Sequence, residues 1–347
     1  MLRRLLFLAA ALSIALAATP VAAADDYYKD KNLRMLVGFS PGGGYDTYTR
    51  YIARYIGKYL PGNPTPIVQN MPGAGSLITA NWIYKRAKPD GTTLGVWSPA
   101  LIFAHAMGDK KVRLDPNRFE YIGTPTGDSV TCGLMAGSGL RSLDDVIKSG
   151  RTVTMGGTRA PGNTTDPFLF LNKQFGTKFK SIPGYGGTAK MRLAMESGEV
   201  DGGCWTWESM RVTARGMLDA PDDKKLIPFV TTKRFSDPEV KDIPLFSDVL
   251  TGENLAAFQA WDTQNKLTRV YTLPPGTPKA QVQALQKAFK AVMEDPEFLE
   301  ETKKARLGIA YVSPKKIRTT LKEINSMPPK IKEYLQILTG FKKKKQS

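Results

Sequence analysis

Histidine and cysteine are scarce in this sequence. His105 is the only histidine, and the two cysteines are Cys132 and Cys204. A zinc site with four nitrogen or sulfur ligands cannot be assembled from three such residues. His105 would also have to be the base of any Ser-His-Asp hydrolase, yet it lies in the largely apolar segment FAHA. We therefore predict no metal site and no catalytic triad, and we expect the protein not to be an enzyme.

Long hydrophobic runs are absent after residue 24, where no segment approaches the ~20 apolar residues of a membrane span. The first 24 residues contain Arg3 and Arg4, an apolar run over residues 5–18 and the small-residue stretch AAA at residues 22–24. This order is typical of a secretory signal peptide, and a run of ~14 apolar residues is too short for an anchor. We expect cleavage after Ala24, a periplasmic location and no stable membrane insertion.

Acidic residues are few relative to basic ones. The chain has 49 Lys and Arg against 32 Asp and Glu, for a formal charge of +17. This imbalance favours an anionic ligand or partner. Nucleic acid would satisfy the charge, but the predicted compartment argues against it, so we expect no nucleic-acid partner.

The two cysteines leave two interpretations open. A secreted compartment is usually oxidising, so Cys132 and Cys204 would form a disulfide. The alternative is two separate buried thiols that behave as small hydrophobic side chains. The distance between their Cα atoms decides the matter, and the sequence does not supply it.

Short apolar segments alternate with helix-length segments. Strands are predicted over residues 33–39, 66–69, 93–97, 151–155 and 200–205, and helices over residues 45–59, 77–86, 142–149, 166–175, 188–197 and 278–293. This alternation is typical of βαβ units and a largely parallel sheet, so the predicted fold class is α/β.

Two glycine-containing turns lie between predicted strands and helices. They are SPGGGYD at residues 40–46 and GGTRAPGNTT at residues 156–165. Glycine lets backbone N–H groups approach a ligand closely, and a helix N-terminus behind the turn attracts anions. The first turn matches neither a P-loop nor a dinucleotide fingerprint, so no cofactor is predicted. Two ordinary βα turns remain the alternative interpretation.

Six segments in chain order resemble those of the tripartite tricarboxylate transporter receptors, also called Bug proteins. They are PGGGYD at residues 41–46, NMPGAG at 70–75, PDGTTL at 89–94, FEYIG at 119–123, YGG at 185–187 with GEVD at 198–201, and PGTP at 275–278. One such turn is a weak signal, but six in order behind a signal peptide are specific.

The resemblance implies a periplasmic-binding-protein type II-like fold, with two α/β lobes, two crossing strands and a ligand cleft between the lobes. We place lobe one at residues 25–123 and 227–341 and lobe two at residues 124–226, with a basic tail at residues 342–347. The resemblance also implies a monomeric receptor that binds a small organic acid between one turn of each lobe. It would deliver this ligand to the membrane permease subunits of a tripartite transporter.

The candidate ligand-binding residues follow from the two turns and from the NMPGAG segment: Gly42, Gly43, Gly44, Asp46, Ala74, Gly75, Thr158, Arg159, Gly162, Asn163 and Thr164. Amides from lobe one would hold one end of the acid and lobe two would hold the other. Asp46 is either structural or a partner for a polar ligand group, and Arg159 either pairs with a second carboxylate or is a surface charge. Trp205 and Trp207 either line the cleft or belong to the core.

The chain departs from the family pattern at several places near the predicted cleft. Ser76 stands where the family usually has glycine, Arg159 and Ala160 interrupt the second turn, and WTWE at residues 205–208 replaces a smaller apolar strand end. The identity of the ligand therefore does not carry over. Two other functions remain as alternatives: a ligand-sensing module of a signalling system, and a secreted hydrolase.

Overall fold

The computed structural model describes residues 27–127 and 129–342. The predicted signal peptide at residues 1–24, and the basic tail apart from Lys342, lie outside the described residues. Within the described residues, no helix is both long enough and apolar enough to cross a bilayer.

The described elements alternate much as predicted. The strands are β1 (Asn32–Val37), β2 (Thr65–Asn70), β3 (Thr93–Trp97), β4 (Glu120–Gly123), β5 (Val130–Met135), β6 (Thr152–Gly157), β7 (Lys178–Pro183), β8 (Gly202–Thr206), β9 (Leu226–Thr231) and β10 (Val270–Leu273). The α-helices are α1 (Gly44–Ile56), α2 (Leu77–Lys85), α3 (Ala100–Ala106), α4 (Leu143–Ser149), α5 (Pro167–Phe175), α6 (Thr188–Glu196), α7 (Trp207–Thr213), α8 (Arg215–Leu218), α9 (Phe246–Val249), α10 (Gly252–Asp262), α11 (Lys279–Glu294), α12 (Pro296–Lys304), α13 (Pro314–Asn325) and α14 (Pro329–Leu338).

The first sheet has five strands in the order β2-β1-β3-β10-β4. β1 pairs in parallel with both β2 and β3, so β1-α1-β2 and β2-α2-β3 are βαβ units. Val37 is in register with Asn70, and the carboxyl ends of β1 and β2 therefore lie at one edge of the sheet. The first glycine turn follows β1 and the NMPGAG segment begins at the end of β2, so the two lie side by side at this edge. Ligand sites of α/β sheets form at the carboxyl ends of strands.

The second sheet repeats this arrangement, in the order β7-β6-β8-β5-β9. β6 pairs in parallel with β7 and β8, whereas β5 is antiparallel to β8 and β9. Likewise β10 is antiparallel to β3 and β4 in the first sheet. The prediction of largely parallel sheets thus holds for three strands of each sheet. The antiparallel strand in each is the one that arrives from the other lobe, because it enters the sheet from the opposite end.

The two connections between the lobes lie side by side. The chain leaves the first sheet after β4 and returns to it at β10, and Thr124 Oγ1 donates a hydrogen bond to the carbonyl oxygen of Thr268 where the connections meet. β4 ends at Gly123, and β5 of the second sheet begins at Val130. The predicted second boundary at Leu226 requires correction, because β9 starts at this residue and pairs with β5. Lobe two therefore extends through at least residue 231, and an apolar strand looks the same in sequence whichever sheet it joins.

Aromatic side chains dominate the core around the return connection. Phe170 of α5 lies 5.3 Å from Phe258 and 5.7 Å from Trp261 of α10, measured between ring centroids. All three side chains are almost fully buried. Helix α10, which follows β9, is therefore fixed against lobe two by aromatic packing of the kind that contributes most to protein cores.

Cys132 and Cys204 form a disulfide in the second sheet. They are directly opposite each other on the antiparallel strands β5 and β8, with their Cα atoms 4.0 Å apart, and both are fully buried. The pairing register therefore selects the disulfide over two separate thiols.

Candidate functional site

The first glycine turn is held by Asp46 from the first turn of α1. One carboxylate oxygen, Oδ2, accepts a hydrogen bond from the Gly42 amide at 3.0 Å, and the other, Oδ1, accepts one from Asn70 Nδ2 at 2.9 Å. Arg50 Nε lies 3.0 Å from both oxygens. Burial opposes the charge, but these bonds hold the pKa of Asp46 below its ordinary value. Asp46 is thus occupied in fixing the turn to the end of β2.

The second turn is built in the same way around Asp166. Its Oδ1 accepts a hydrogen bond from the Gly162 amide at 2.8 Å, and its Oδ2 accepts one from Trp261 Nε1 at 3.1 Å. Asp166 is buried, and this burial raises its pKa to about 6 although hydrogen bonds from Gly162, Trp261 and Thr165 favour the charged form. Both turns have the spacing P-G-x-x-x-D, at residues 41–46 and 161–166, a signal that the sequence analysis did not use.

The two turns meet at one cavity between the lobes. In this closed conformation the cavity volume is about 30 Å³. The residues that line it are Phe39, Gly43, Gly44, Tyr45, Thr158, Asn163, Thr164, Thr188, Trp205, Thr206, Ser209 and Arg269. Of the candidate ligand-binding residues, Gly43, Gly44, Thr158, Asn163 and Thr164 line this cavity, and Gly44 is the first residue of α1.

Three other predicted residues, Gly42, Asp46 and Gly162, are not among the residues that line the cavity. The amides of the two glycines are already bonded to Asp46 and Asp166. These residues shape the turns, and in this geometry their amides are directed at their own carboxylates and not at the space between the lobes.

Ala74, Gly75 and Arg159 form a separate contact between the lobes. Ala74 and Gly75 have φ values of 48° and 60°, and a Cβ on Gly75 would lie 2.6 Å from Cβ of Arg159. The Arg159 guanidinium forms a buried ion pair with Asp109 and also donates to the carbonyl oxygen of Pro161 at 2.6 Å. Of the two roles predicted for Arg159, neither describes this geometry, because its partner is a carboxylate of the opposite lobe.

Further contacts close the lobes around the cavity. The Ser40 amide donates to the Gly186 carbonyl at 2.9 Å, and Arg192 Nη2 donates to the Gly42 carbonyl at 3.3 Å. The described conformation is therefore a closed one, in which each lobe contacts the first or second turn of the other.

Comparisons with known proteins agree with this architecture. No family model matches the chain. A UPF0065 protein encoded in the gbd 5' region of Cupriavidus necator is 26% identical over 318 residues, which is 88% of each chain. The solved structure of the periplasmic binding protein BugD superposes with a TM-score of 0.71 at 20% identity and covers 90% of this chain and 98% of BugD. The chain has the Bug fold. The resemblance and the fold class predicted from the six motifs are confirmed.

A second structure shares this Bug fold and contains a ligand. MatC from Rhodopseudomonas palustris, solved with bound malate, superposes with a TM-score of 0.69 at 20% identity. The superposition covers 88% of this chain and 99% of MatC.

The sequence analysis missed several cavity residues, and Arg269 is the charged one among them; the others are Phe39, Tyr45, Thr188, Thr206 and Ser209. The Arg269 side chain is 1% exposed, and its backbone has a left-handed φ of 64° just before β10. The guanidinium lies 4.2 Å from the centre of the Tyr48 ring, and Nη2 donates to Thr206 Oγ1 at 3.1 Å. No local motif marks this arginine, which reaches the cavity because the return connection carries it there.

The two tryptophans near the end of β8 have different places in the Bug fold. Trp205 lines the cavity. Trp207 is buried in the core of lobe two, where its Nε1 donates to Asp237 Oδ2 at 2.8 Å. Two residues that are two positions apart on one strand would face the same side of the sheet. Trp207, however, is the first residue of helix α7, so it does not share the side of Trp205.

We expect Asp46→Asn to lower the stability of the protein by about 1–3 kcal/mol at pH 7, since a charged acceptor of several hydrogen bonds is lost. The folded-state pKa of Asp46 is depressed, so its contribution is present above the unfolded pKa and disappears as the pH falls. Thermal unfolding of parent and variant between pH 7 and pH 3 should show a difference that shrinks below about pH 4. The exposed Asp144→Asn is the control, and a difference that stays constant with pH would contradict the role of the charge.

Proposed function

We propose that the chain is a monomeric periplasmic solute-binding receptor. It captures a small organic carboxylate in the cavity between the lobes and delivers it to the permease subunits of a tripartite tricarboxylate-type transporter. The observation that carries this proposal is the convergence of both Asp-held turns on one cavity whose wall contains the Arg269 guanidinium.

The wall on the side of lobe one suits a carboxylate. Gly43 and Gly44 open α1, a helix of 13 residues whose N-terminal amides and dipole favour an anion. Arg269 adds a guanidinium, the side chain best suited to paired hydrogen bonds with a carboxylate. Phe39 and Tyr45 form an apolar wall beside them, with ring centroids 4.3 Å apart.

The wall on the side of lobe two offers neutral polar groups. The Thr158 amide donates a hydrogen bond to the Thr164 hydroxyl at 2.9 Å. The hydroxyls of the same two residues are hydrogen-bonded to each other at 3.2 Å. Asn163 lies beside them in the lining. Such groups bind the polar end of an acid held by lobe one, and the presence of malate in MatC, which shares the fold, supports a ligand of this class.

The proposed mechanism is capture by closure. An acid binds between separated lobes, the two adjacent connections bend, and contacts such as Ser40 to Gly186 form as the lobes meet. The permease would recognise the closed form, whose population the ligand raises because it contacts both lobes at once. Arg269 lies at the end of the return connection, so it links the cavity to the part of the chain that bends.

A hydrolase has less support. His105, the histidine that it would require, is near the end of α3 and is not among the residues that line the cavity. Of the proteins named above, BugD is a periplasmic binding protein and none is named as an enzyme.

A thermal-shift panel tests the proposed function. The mature protein would be mixed with malate, succinate, propionate and adipate, and with neutral sugars of similar size. An acid present at ~100 times its dissociation constant should stabilise the protein by about 2.7 kcal/mol. Stabilisation by at least one acid and by no sugar is the expected result. A sugar that stabilises the protein while every acid fails would overturn the proposal.

A further inference from the structure

Trp205 differs from the other buried tryptophans in its hydrogen bonding. Trp97 Nε1 donates to Thr272 Oγ1 at 2.8 Å, Trp207 Nε1 donates to Asp237, and Trp261 Nε1 donates to Asp166. The Trp205 side chain is also buried, with 3% of its surface exposed. Its Nε1, however, is a buried atom with no hydrogen-bond partner among the described residues.

An indole N–H that is buried without an acceptor carries a cost. Most buried polar groups in proteins are hydrogen-bonded, and an unsatisfied donor costs about 1–3 kcal/mol. The chain retains this donor at a residue that lines the cavity between the lobes. Since the indole N–H donates and cannot accept, the group that complements it is an oxygen or another acceptor.

Trp205 and the proposed carboxylate-binding groups belong to different lobes. Trp205 belongs to β8 in lobe two, whereas Gly43, Gly44 and Arg269 belong to lobe one. The hydroxyl of the next residue, Thr206, accepts from Arg269 and so already serves the guanidinium. A ligand held by its carboxylate at lobe one would therefore need a second acceptor to satisfy Trp205.

We propose that Trp205 is a specificity-determining residue that selects acids with a second oxygen acceptor apart from the bound carboxylate. The ligands would be hydroxy, keto or dicarboxylic acids, and simple aliphatic monocarboxylates would bind more weakly. This inference rests on the proposed function, because it assumes that the cavity holds an acid. The aromatic faces of Phe39, Tyr45 and Trp205 would enclose the carbon skeleton between the two polar ends.

Trp205→Phe tests the inference, because phenylalanine keeps an aromatic ring and removes the N–H. Dissociation constants for malate, succinate and propionate would be measured by calorimetry with the mature protein. We expect the variant to bind malate or succinate about tenfold more weakly than the parent, with propionate unchanged. Trp82→Phe is the matched control, since Trp82 lies outside the cavity beside Arg34 and should leave all three constants unchanged.

The outcomes separate the two proposals. If the parent binds malate and Trp205→Phe binds it equally well, the specificity role is wrong and the receptor function stands. An equal loss for propionate and malate would also overturn the specificity role, since it would reflect a damaged cavity. If the parent binds no acid of the panel, the proposed function itself fails and the inference fails with it.

A second measurement uses the parent protein and does not depend on the folding of a variant. The indole ¹H–¹⁵N resonance of Trp205 reports directly on its hydrogen bond. Malate should move this resonance to higher proton frequency and slow its exchange with solvent, whereas propionate should not. A Trp205 resonance that responds equally to the two acids would contradict the inference.

Discussion

Valine in place of Gly44 should weaken carboxylate binding by at least about 30-fold while the protein remains folded. A Cβ on Gly44 would lie 2.4 Å from Ser209 Oγ, 2.7 Å from Ser209 Cβ and 2.9 Å from Arg269 Nη2. Gly44 belongs to lobe one and Ser209 to α7 of lobe two, so the added side chain keeps the lobes apart. Loss of one charge-assisted hydrogen bond costs about 1.5–3 kcal/mol, and about 2 kcal/mol corresponds to 30-fold.

Two further variants make this result specific. Gly216→Val is the matched control, because a Cβ there meets nothing within 4 Å and Gly216 lies outside the cavity. Gly43→Ala should have a smaller effect than Gly44→Val, since its Cβ would approach only the hydroxyl of Thr188 closely, at 2.9 Å. Calorimetry gives the affinities and a thermal melt confirms folding. Parent-like affinity in a folded Gly44→Val protein would remove Gly44 from the site.

Removal of the disulfide should reduce stability by about 4 kcal/mol. The bond joins residues separated by 72 positions, and the entropy that a cross-link removes from the unfolded chain rises with this separation. We expect the double variant Cys132→Ala, Cys204→Ala to unfold at a lower denaturant concentration than the parent. Neither residue lines the cavity, so the variant should bind the same acids while it is folded.

Reductant provides the control for this comparison. It should destabilise the parent and leave the double variant unchanged, because the variant contains no cysteine. Mass spectrometry of the unreduced parent should show a cross-linked peptide pair and no free thiol. Two titratable thiols in the unfolded parent would contradict the disulfide between Cys132 and Cys204.

The local pattern of apolar and turn-forming residues was sufficient to predict most strands and helices that begin next to a recognisable turn. The strand predicted over residues 93–97 coincides with β3, and the helix predicted over residues 77–86 differs from α2 by one residue. By contrast β7 and α10 were not predicted, because neither has a strong alternation or a turn motif at its start. The position of α10 depends on aromatic contacts with α5, which lie about 85 residues earlier in the sequence.

The sequence by itself determined the α/β class, the family resemblance and the two turns that meet at the cavity. The secretion signal, which lies outside the described residues, stays a prediction. Gly43, Gly44, Thr158, Asn163 and Thr164 could be predicted because each lies in a turn between a strand and a helix, and such turns collect at one edge of a parallel sheet. Their chemistry is therefore encoded within a few neighbouring residues.

Only the tertiary structure decided which other groups reach the cavity and which predicted groups are already engaged. Arg269 follows a connection with no motif, and it meets Gly44 because β10, which begins at the next residue, pairs within the first sheet. Arg159 is neutralised by Asp109 of the opposite lobe. Contacts between residues 50 to 225 positions apart depend on how the sheets and lobes pack, and this packing has no local signature in the chain.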